Sequence, residues 1–311
     1  DEEALPRQYE SMKLFVEAEI RKMGKKNLWI GPSLGDWLAM GKGIAWQAMH
    51  NNPVSNAFIV HDLKVISETA ERLGKKADAD RYRRQLEATT KAYIEKFVSK
   101  KGIVAKDYQS AYIMALKFVL PEGELRELVK KNFAANIRKN GLQTGFFATE
   151  HLLPLLVEAG ETELAYDILL QEGCPGWMYQ IKCGATTTWE RWDALKPDGT
   201  VNEEKMAGSG DNMVSFDHYA FGSVGEFYYQ YILGIKPQKP GFAELHFEPY
   251  PDRRLGGVSG SYLSRAGKIE SSWKYEEDGC HISLNTPVKS EVVLPNGQRE
   301  TVEEGTYQWL C

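Results

Sequence analysis

Apolar residues recur at every third or fourth position through most of the first 235 residues, and this spacing constrains the fold more than any other feature. In the first segment the apolar positions are Leu5, Tyr9, Met12, Val16, Ile20 and Met23. Such spacing places the side chains on one face of an α-helix. The same reasoning predicts eight helices, over roughly 5–23, 59–73, 82–97, 109–120, 123–139, 146–159, 162–171 and 219–233.

The pattern changes near Lys236, where prolines and glycines replace the helical spacing. Beyond it, polar and apolar residues alternate in short runs, separated by turn sequences such as Asp278-Gly279 and Asn296-Gly297. Alternation with a period of two is typical of half-buried strands, and these dipeptides favour hairpins. We therefore predict a mainly α chain with two domains, a helical one over residues 1–235 and a small antiparallel β domain over residues 236–311.

The connections between the predicted helices alternate between short, plain ones and longer ones that are rich in Trp, Gly, Thr and acidic residues. Because short connections join antiparallel neighbours, alternate connections lie at the same end of a helical array. The Trp- and Gly-rich loops should therefore bring Asp36, Gln143, Glu190 and His218 to one depression. Both an open solenoid and a closed α/α ring satisfy this rule.

Eight helices are few for a large ring, and the sequence begins at Asp1 rather than Met. We therefore expect a piece of a longer protein whose missing helices leave apolar faces uncovered. Exposed apolar surface favours association with other protein surfaces, so we predict that the truncated chain self-associates.

The charge balance and the absence of cofactor motifs exclude several classes of function. With 38 Lys and Arg against 43 Asp and Glu, the net charge is −5, which argues against a nucleic-acid-binding face. No segment approaches the ~18 uncharged apolar residues of a membrane span. The sequence has no Gly-x-Ser-x-Gly elbow, phosphate loop or dinucleotide fingerprint, and its histidines form no metal-binding pair. We expect neither a cofactor nor a metal.

The segment Gly184–Asp193 has the highest density of chemically useful side chains. In it Glu190 lies between Trp189 and Arg191, and Trp192 follows. Indole walls exclude water and raise the pKa of a carboxyl group, which suits Glu190 to accept a proton from water. The alternative is a structural Glu–Arg pair on a loop packed by tryptophans.

Three further positions are candidates for a ligand site. Asp36 precedes Trp37, and an acid beside an indole can bind sugar hydroxyls while the ring stacks on the sugar; the alternative is that Asp36 caps a helix over residues 37–40. Thr144 is predicted to cap the helix that starts near residue 146. His218 can hydrogen-bond a ligand hydroxyl, although a lone histidine usually has a structural role.

Five motifs occur along the chain in the order Gly35-Asp36-Trp37-Leu38, Thr144-Gly145-Phe146, Pro175-x-Trp177, Gly184-Ala185-Thr186-Thr187-x-Trp189-Glu190-Arg191-Trp192 and Ser215-Phe216-x-His218-Tyr219-x-x-Gly222-Ser223-Val224. Taken together, they resemble the motifs of the bacterial α-L-rhamnosidases of glycoside hydrolase family 78. The resemblance covers nearly the whole chain. It implies an (α/α)6 toroid, here incomplete, followed by a C-terminal β-sandwich. It also implies inverting hydrolysis of terminal α-L-rhamnose from plant or bacterial glycosides, without a metal in the toroid.

The resemblance assigns roles to individual residues. Glu190 matches the general base that activates the attacking water. The positions that match the walls of the sugar pocket are Asp36, Trp37, Trp189, Trp192 and His218. Two positions depart from the family pattern: Asp217 stands where the family usually has Asn, and Gly176 where it usually has Ser.

The general acid of the family lies in an acidic, Arg-rich motif well upstream of the Gly-Asp-Trp loop, and the 35 residues before Asp36 contain no such motif. Since inverting hydrolysis needs two carboxyl groups, we expect a fragment that is inactive by itself. Two alternatives remain open. One is a non-catalytic carbohydrate-binding protein on a degenerate toroid, and the other is a different α/α-toroid enzyme such as a sugar epimerase or polysaccharide lyase.

Overall fold

The helical part of the chain is built from long amphipathic helices joined in antiparallel pairs. The computed structural model describes residues 3–203 and 214–311, and the chain divides into two compact units, residues 1–221 and 222–311. The α-helices in the described ranges of the first unit are α1 Ala4–Met23, α2 Ile44–His50, α3 Asn52–Arg72, α4 Lys76–Phe97, α5 Gln109–Met114, α6 Glu124–Asn140, α7 Phe146–Glu158, α8 Thr162–Leu170 and α9 Trp177–Lys182.

These helices form two layers. In one layer α3 packs against α5, and α5 packs against α7. Each of these helices pairs with the next one along the chain, so that α4, α6 and α8 form the other layer. The first helix, α1, packs on the α3–α4 pair, and its Tyr9 hydroxyl donates to Asp78 of α4 at 2.8 Å. The apolar spacing of the sequence accounts for this arrangement, since Tyr9, Val16 and Met23 are the buried residues of α1.

Most of the predicted long helices are present, although α3 starts at Asn52 rather than near residue 59 and α4 at Lys76 rather than near residue 82. The helix predicted over 219–233 is a short α-helix, Val224–Phe227, between a 3-10 turn and a π-helical turn, and two short helices were missed. Both α2 and α9 lie inside segments that were predicted to be loops. Each has only six or seven residues, too few for a periodic apolar face to emerge from the sequence. The predicted helix over 109–120 is α5 followed by a wider π-helical turn over Ala115–Val119.

The second unit contains two four-stranded sheets. Its strands are β1 Ile235–Pro237, β2 Leu245–Phe247, β3 Gly257–Ser264, β4 Gly267–Glu276, β5 Gly279–Thr286, β6 Ser290–Val293, β7 Arg299–Val302 and β8 Gly305–Leu310. The sheet orders are β1-β2-β6-β7 and β3-β4-β5-β8. The pairing is antiparallel except between β2 and β6, which are parallel and thus differ from the antiparallel arrangement expected throughout.

A short helical segment packs on this second sheet. It consists of α10 Val224–Phe227 and a π-helical turn over Tyr228–Ile232. The Trp273 indole donates to the carbonyl of Ile232 at 2.7 Å, and the Ser271 hydroxyl donates to that of Leu233 at 2.6 Å. The compact units therefore divide before this segment, and the domain boundary at residues 235/236 stays a prediction. Among the described residues, no helix combines the length and apolarity that crossing a membrane requires.

Candidate active site

Asp36 is completely buried, and its carboxylate receives four hydrogen bonds. The donors are the Ser110 hydroxyl at 2.5 Å and the backbone amides of Gly145, Phe147 and Ala148 at 2.8, 2.9 and 3.0 Å. These amides belong to the free N-terminal end of α7, which favours negative charge. Burial raises the pKa of Asp36, and the four hydrogen bonds oppose that rise.

This arrangement corrects two predictions about helix caps. Asp36 does not cap a helix over residues 37–40, because Leu38 has a left-handed backbone (φ 61°) and the segment is a turn. Thr144 does not cap α7 either, since its hydroxyl pairs with that of Thr149 at 2.7 Å. The Asp36 carboxylate, more than a hundred residues away in the sequence, accepts the hydrogen bonds from the start of α7 that Thr144 was expected to accept. A direct role of Asp36 in sugar binding stays a prediction.

The Gly-Asp-Trp loop and the loop before α7 lie against each other through their backbones. The amide of Phe146 donates to the carbonyl of Trp37 at 3.0 Å, and that of Met40 donates to the carbonyl of Gln143 at 3.2 Å. A side chain at Gly145 would collide with the Trp37 carbonyl, so only glycine allows this close approach. Trp37 is half-buried and lines a cavity next to the start of α7.

Backbone hydrogen bonds join the segment 188–190 to the segment 215–218. The amide of Glu190 donates to the carbonyl of Ser215 at 2.9 Å, and that of His218 donates to the carbonyl of Thr188 at 2.9 Å. The Thr188 hydroxyl adds a bond to the carbonyl of His218 at 2.6 Å. These contacts fix the position of Glu190 without using its side chain.

The Glu190 carboxylate lies in a largely enclosed position. Glu190 is 9% exposed, and the adjacent Trp189 and Trp192 are 2% and 1% exposed. Its neighbour Arg191 forms a two-bond pair with Asp193, with both distances 3.0 Å. No hydrogen bond or ion pair between residues of the described ranges 3–203 and 214–311 involves the Glu190 carboxylate. As far as the described residues are concerned, the carboxylate is therefore available to a water molecule or a ligand.

Trp189 and Trp192 pack the loop that carries Glu190 against neighbouring aromatic side chains. The Trp192 ring stacks on Phe221 with 3.9 Å between ring centroids, and its indole N–H donates to the carbonyl of Thr144 at 3.1 Å. Trp189 packs edge-on against Phe216 at 5.5 Å. Their near-complete burial makes both rings part of the wall behind Glu190, and direct contact with a sugar stays a prediction.

His218 is half-buried within a stack of aromatic rings. Its ring lies 4.6 Å from that of Phe146 and 5.2 Å from that of Tyr219, which is 86% exposed. The Nδ1 atom accepts a hydrogen bond from the amide of Ala220 at 3.3 Å. In the neutral ring the proton therefore lies on Nε2, which can donate to a ligand hydroxyl.

A chain of contacts thus links the four predicted segments within the helical unit, although their side chains differ in accessibility, and a single depression lined by all four stays a prediction. Asp36 contacts the start of α7, the Phe146 ring contacts His218, and the loop that precedes His218 carries the carbonyl that accepts from the Glu190 amide. Asp36 lies beneath the surface, whereas Glu190 and His218 retain exposure. The sequence reasoning missed Ser110 as a partner of Asp36, and no local motif marks it.

Among the described residues, three side chains are close enough together to hold a metal ion: Glu276, Asp278 and His281 at the β4–β5 turn. All three are exposed, and His281 already pairs with Asp278 at 2.7 Å while Lys274 pairs with Glu276 at 2.8 Å. We assign no metal to this turn.

Comparison with protein families and known structures gives consistent matches over both units. The six-hairpin glycosidase domain of bacterial α-L-rhamnosidases matches residues 1–232, and the C-terminal domain of bacterial α-L-rhamnosidases matches residues 234–308. An α-L-rhamnosidase of Alteromonas sp. (strain LOR) is 34% identical over 95% of this chain and 32% of its own length. One from Streptomyces avermitilis is 32% identical over 88% of this chain and 26% of its own length.

Solved structures show the same similarity. The crystal structure of the Aspergillus terreus α-L-rhamnosidase covers 99% of this chain with a TM-score of 0.89 at 28% identity. That of the Streptomyces avermitilis α-L-rhamnosidase complexed with L-rhamnose covers 99% with a TM-score of 0.88 at 28% identity. The chain spans about a third of the length of each of these proteins, 36% and 31% respectively.

Proposed function

Because the chain belongs to the bacterial α-L-rhamnosidase family, we propose that it is part of an inverting glycoside hydrolase that releases terminal α-L-rhamnose. The observation that carries this proposal is the Glu190 carboxylate, which is nearly enclosed by buried tryptophans yet unused by the described part of the fold. Within residues 3–203 and 214–311, this carboxylate makes no hydrogen bond or ion pair that would give it a structural role. It has the properties required of a base that takes a proton from water.

In the proposed reaction, Glu190 accepts a proton from a water molecule while the water oxygen attacks the anomeric carbon of rhamnose. The bond from that carbon to the leaving oxygen breaks, and a second carboxyl group protonates the leaving oxygen. We expect this acid in a longer polypeptide, because the sequence before Asp36 lacks its motif and the relatives are about three times as long. His218 donates from Nε2 to a sugar hydroxyl, and Trp37 forms part of the pocket wall.

Inversion can be tested on the full-length polypeptide that contains this chain. A single displacement by water from the opposite face of the sugar yields β-L-rhamnose as the first product. Proton NMR spectra recorded in the first minutes of aryl-rhamnoside hydrolysis should therefore show the β anomer before mutarotation. Initial release of the α anomer would contradict a water-activating role for Glu190.

We also propose that the 311-residue chain self-associates in solution. Several large apolar side chains of the helical unit are exposed, namely Leu14, Phe15, Ile30, Leu34 and Phe147. Sedimentation equilibrium should show association that weakens in Phe15→Ser, because apolar area is lost from the patch. Leu263→Ser, which changes an exposed apolar residue of β3, serves as the control. A wild-type chain that stays monomeric over the accessible concentrations would refute this expectation.

A further inference from the structure

Three aromatic side chains form an exposed cluster on the second unit, called here the ring cluster. Tyr229 lies in the π-helical turn after α10, Phe242 in the connection between β1 and β2, and Tyr262 on β3. The ring centroids of Tyr229 and Tyr262 are 6.0 Å apart, and those of Phe242 and Tyr262 are 4.9 Å apart. Phe242 is half-buried, whereas Tyr229 and Tyr262 are 42% and 41% exposed. The rings contact one another and yet stay open to solvent.

The backbone of Phe242 is held in an unfavourable conformation. Its φ of 58° is left-handed, which a bulky side chain rarely adopts. The two ends of its loop are joined, because the amides of Gln238 and Lys239 donate to the carbonyl of Glu244 at 2.9 and 3.2 Å. The Lys239 ammonium also pairs with the Glu244 carboxylate at 2.6 Å. The closed loop keeps the Phe242 ring against Tyr262 despite the strain, and strain of this kind is concentrated at functional sites.

The ring cluster combines apolar ring faces with polar hydroxyl groups. The planes of Tyr229 and Tyr262 meet at 71° and those of Phe242 and Tyr262 at 40°, so the rings form a corner and not a flat plate. Within residues 3–203 and 214–311, neither tyrosine hydroxyl forms a hydrogen bond. A pyranose ring presents polarised C–H groups on its faces and hydroxyls on its rim. The C–H groups suit the electron-rich ring faces, and the hydroxyls suit the phenol groups.

The exposed area of the ring cluster suits a sugar better than a protein partner. An aromatic side chain has about 150–250 Å² of surface, so three partly exposed rings offer roughly 200–300 Å². A stable protein interface needs about 800 Å² from each partner. The exposed Leu263 does not enlarge the cluster, because successive side chains of β3 point to opposite faces of the sheet. Since β3 is the edge strand of its sheet, a long glycan can continue past the cluster.

We propose that the ring cluster is a second carbohydrate site, which binds a pyranose unit of the glycan that carries the terminal rhamnose. The site takes no part in bond cleavage. It holds the polymer on the protein and thereby raises the local concentration of rhamnose ends. The identity of the glycan rests on the proposed function, but binding to the ring cluster is measured without hydrolysis, so the two proposals can fail separately.

Affinity electrophoresis of the full-length polypeptide in gels that contain gum arabic, a plant polysaccharide with terminal rhamnose units, tests the binding. Tyr229→Ala and Tyr262→Ala should each raise Kd about 3–10-fold, because each removes one ring from the cluster. Tyr228→Ala is the matched control, since Tyr228 is 41% exposed in the same turn and, among the described residues, no ring contact joins it to the cluster. The proposal fails if Tyr262→Ala binds like the wild type, if Tyr228→Ala loses as much affinity, or if the polysaccharide does not retard the wild type.

Phe242→Gly separates binding from packing of the loop. Glycine adopts the left-handed backbone without strain, so the relief of strain should offset the lost ring contact and keep Tm within about 2 °C of the wild type. The affinity for gum arabic should nevertheless fall about 3–10-fold. A fall in Tm with unchanged affinity would show that the ring only packs the loop. A full-length polypeptide that binds through the ring cluster but releases no rhamnose would refute the proposed function and leave this site standing.

Discussion

Replacing Glu190 by Gln should lower kcat of the full-length enzyme by about 10²–10⁴-fold, the usual effect of losing a positioned acid–base group. The amide has nearly the shape of the carboxylate but cannot accept the proton of water. KM should change much less, because proton transfer to Glu190 occurs only in the transition state. The fold should persist, since the described structure uses the Glu190 amide and not its carboxylate.

The measurement is aryl-rhamnoside hydrolysis by the wild type and by Glu190→Gln, with thermal melts to check folding and calorimetry to check rhamnose binding. Glu87→Gln is a matched control, because Glu87 is exposed on α4. A Glu190→Gln enzyme within a few-fold of the wild-type kcat would remove Glu190 from the role of base. The loop would then be a wall of the pocket. Loss of rhamnose binding together with kcat would favour a role in ground-state binding instead.

Asp36→Ala should lower the free energy of unfolding by about 3–5 kcal/mol. The substitution removes the acceptor of four hydrogen bonds and leaves three amides at the buried start of α7 without a partner. It also removes the negative charge that the end of this helix favours. Because α7 carries Phe146, which contacts His218, the variant should also disorder the candidate site.

Urea unfolding of the chain, followed by circular dichroism, measures this effect. Ser110→Ala is the natural comparison, since it removes one of the four donors and should cost less, about 1.5 kcal/mol. Asp36→Asn should fall between the two, because its NH₂ group cannot accept from an amide. An Asp36→Ala chain within 1 kcal/mol of the wild type would show that the hydrogen bonds seen in the structure contribute little.

The long helices could be predicted from the sequence because their stability comes from burying one face, and burial leaves a repeating apolar pattern. α1 is an example, with ends within one residue of the prediction, whereas α3 starts at Asn52, before the predicted start near residue 59. The short α2 and α9 left no such pattern. The parallel pairing of β2 with β6 was also beyond prediction, since alternation shows which face of a strand is buried but not which strand lies beside it.

In the candidate site, too, the sequence predicted the role of some residues and not of others. The density of aromatic and acidic residues around Glu190 marks the loop in the sequence, and the family motif marks the residue. Sequence motifs did not reveal that the Asp36 carboxylate accepts hydrogen bonds from the amides at the start of α7. Local sequence favours Thr144 as the cap, and the partner that fills the position is more than a hundred residues away.

By itself, the sequence determined where most of the long helices and the strands lie, and which family the motifs resemble. These properties depend on local spacing and residue type. Only the tertiary structure decided that Asp36 is buried under the site and that Arg191 pairs with Asp193. It also decided that no side chain within residues 3–203 and 214–311 pairs with the Glu190 carboxylate, and that Glu19 and Asp62 line an apolar cavity together with Trp37. The reason is physical: the charge state and hydrogen bonds of a side chain depend on neighbours that the chain brings together only when it folds.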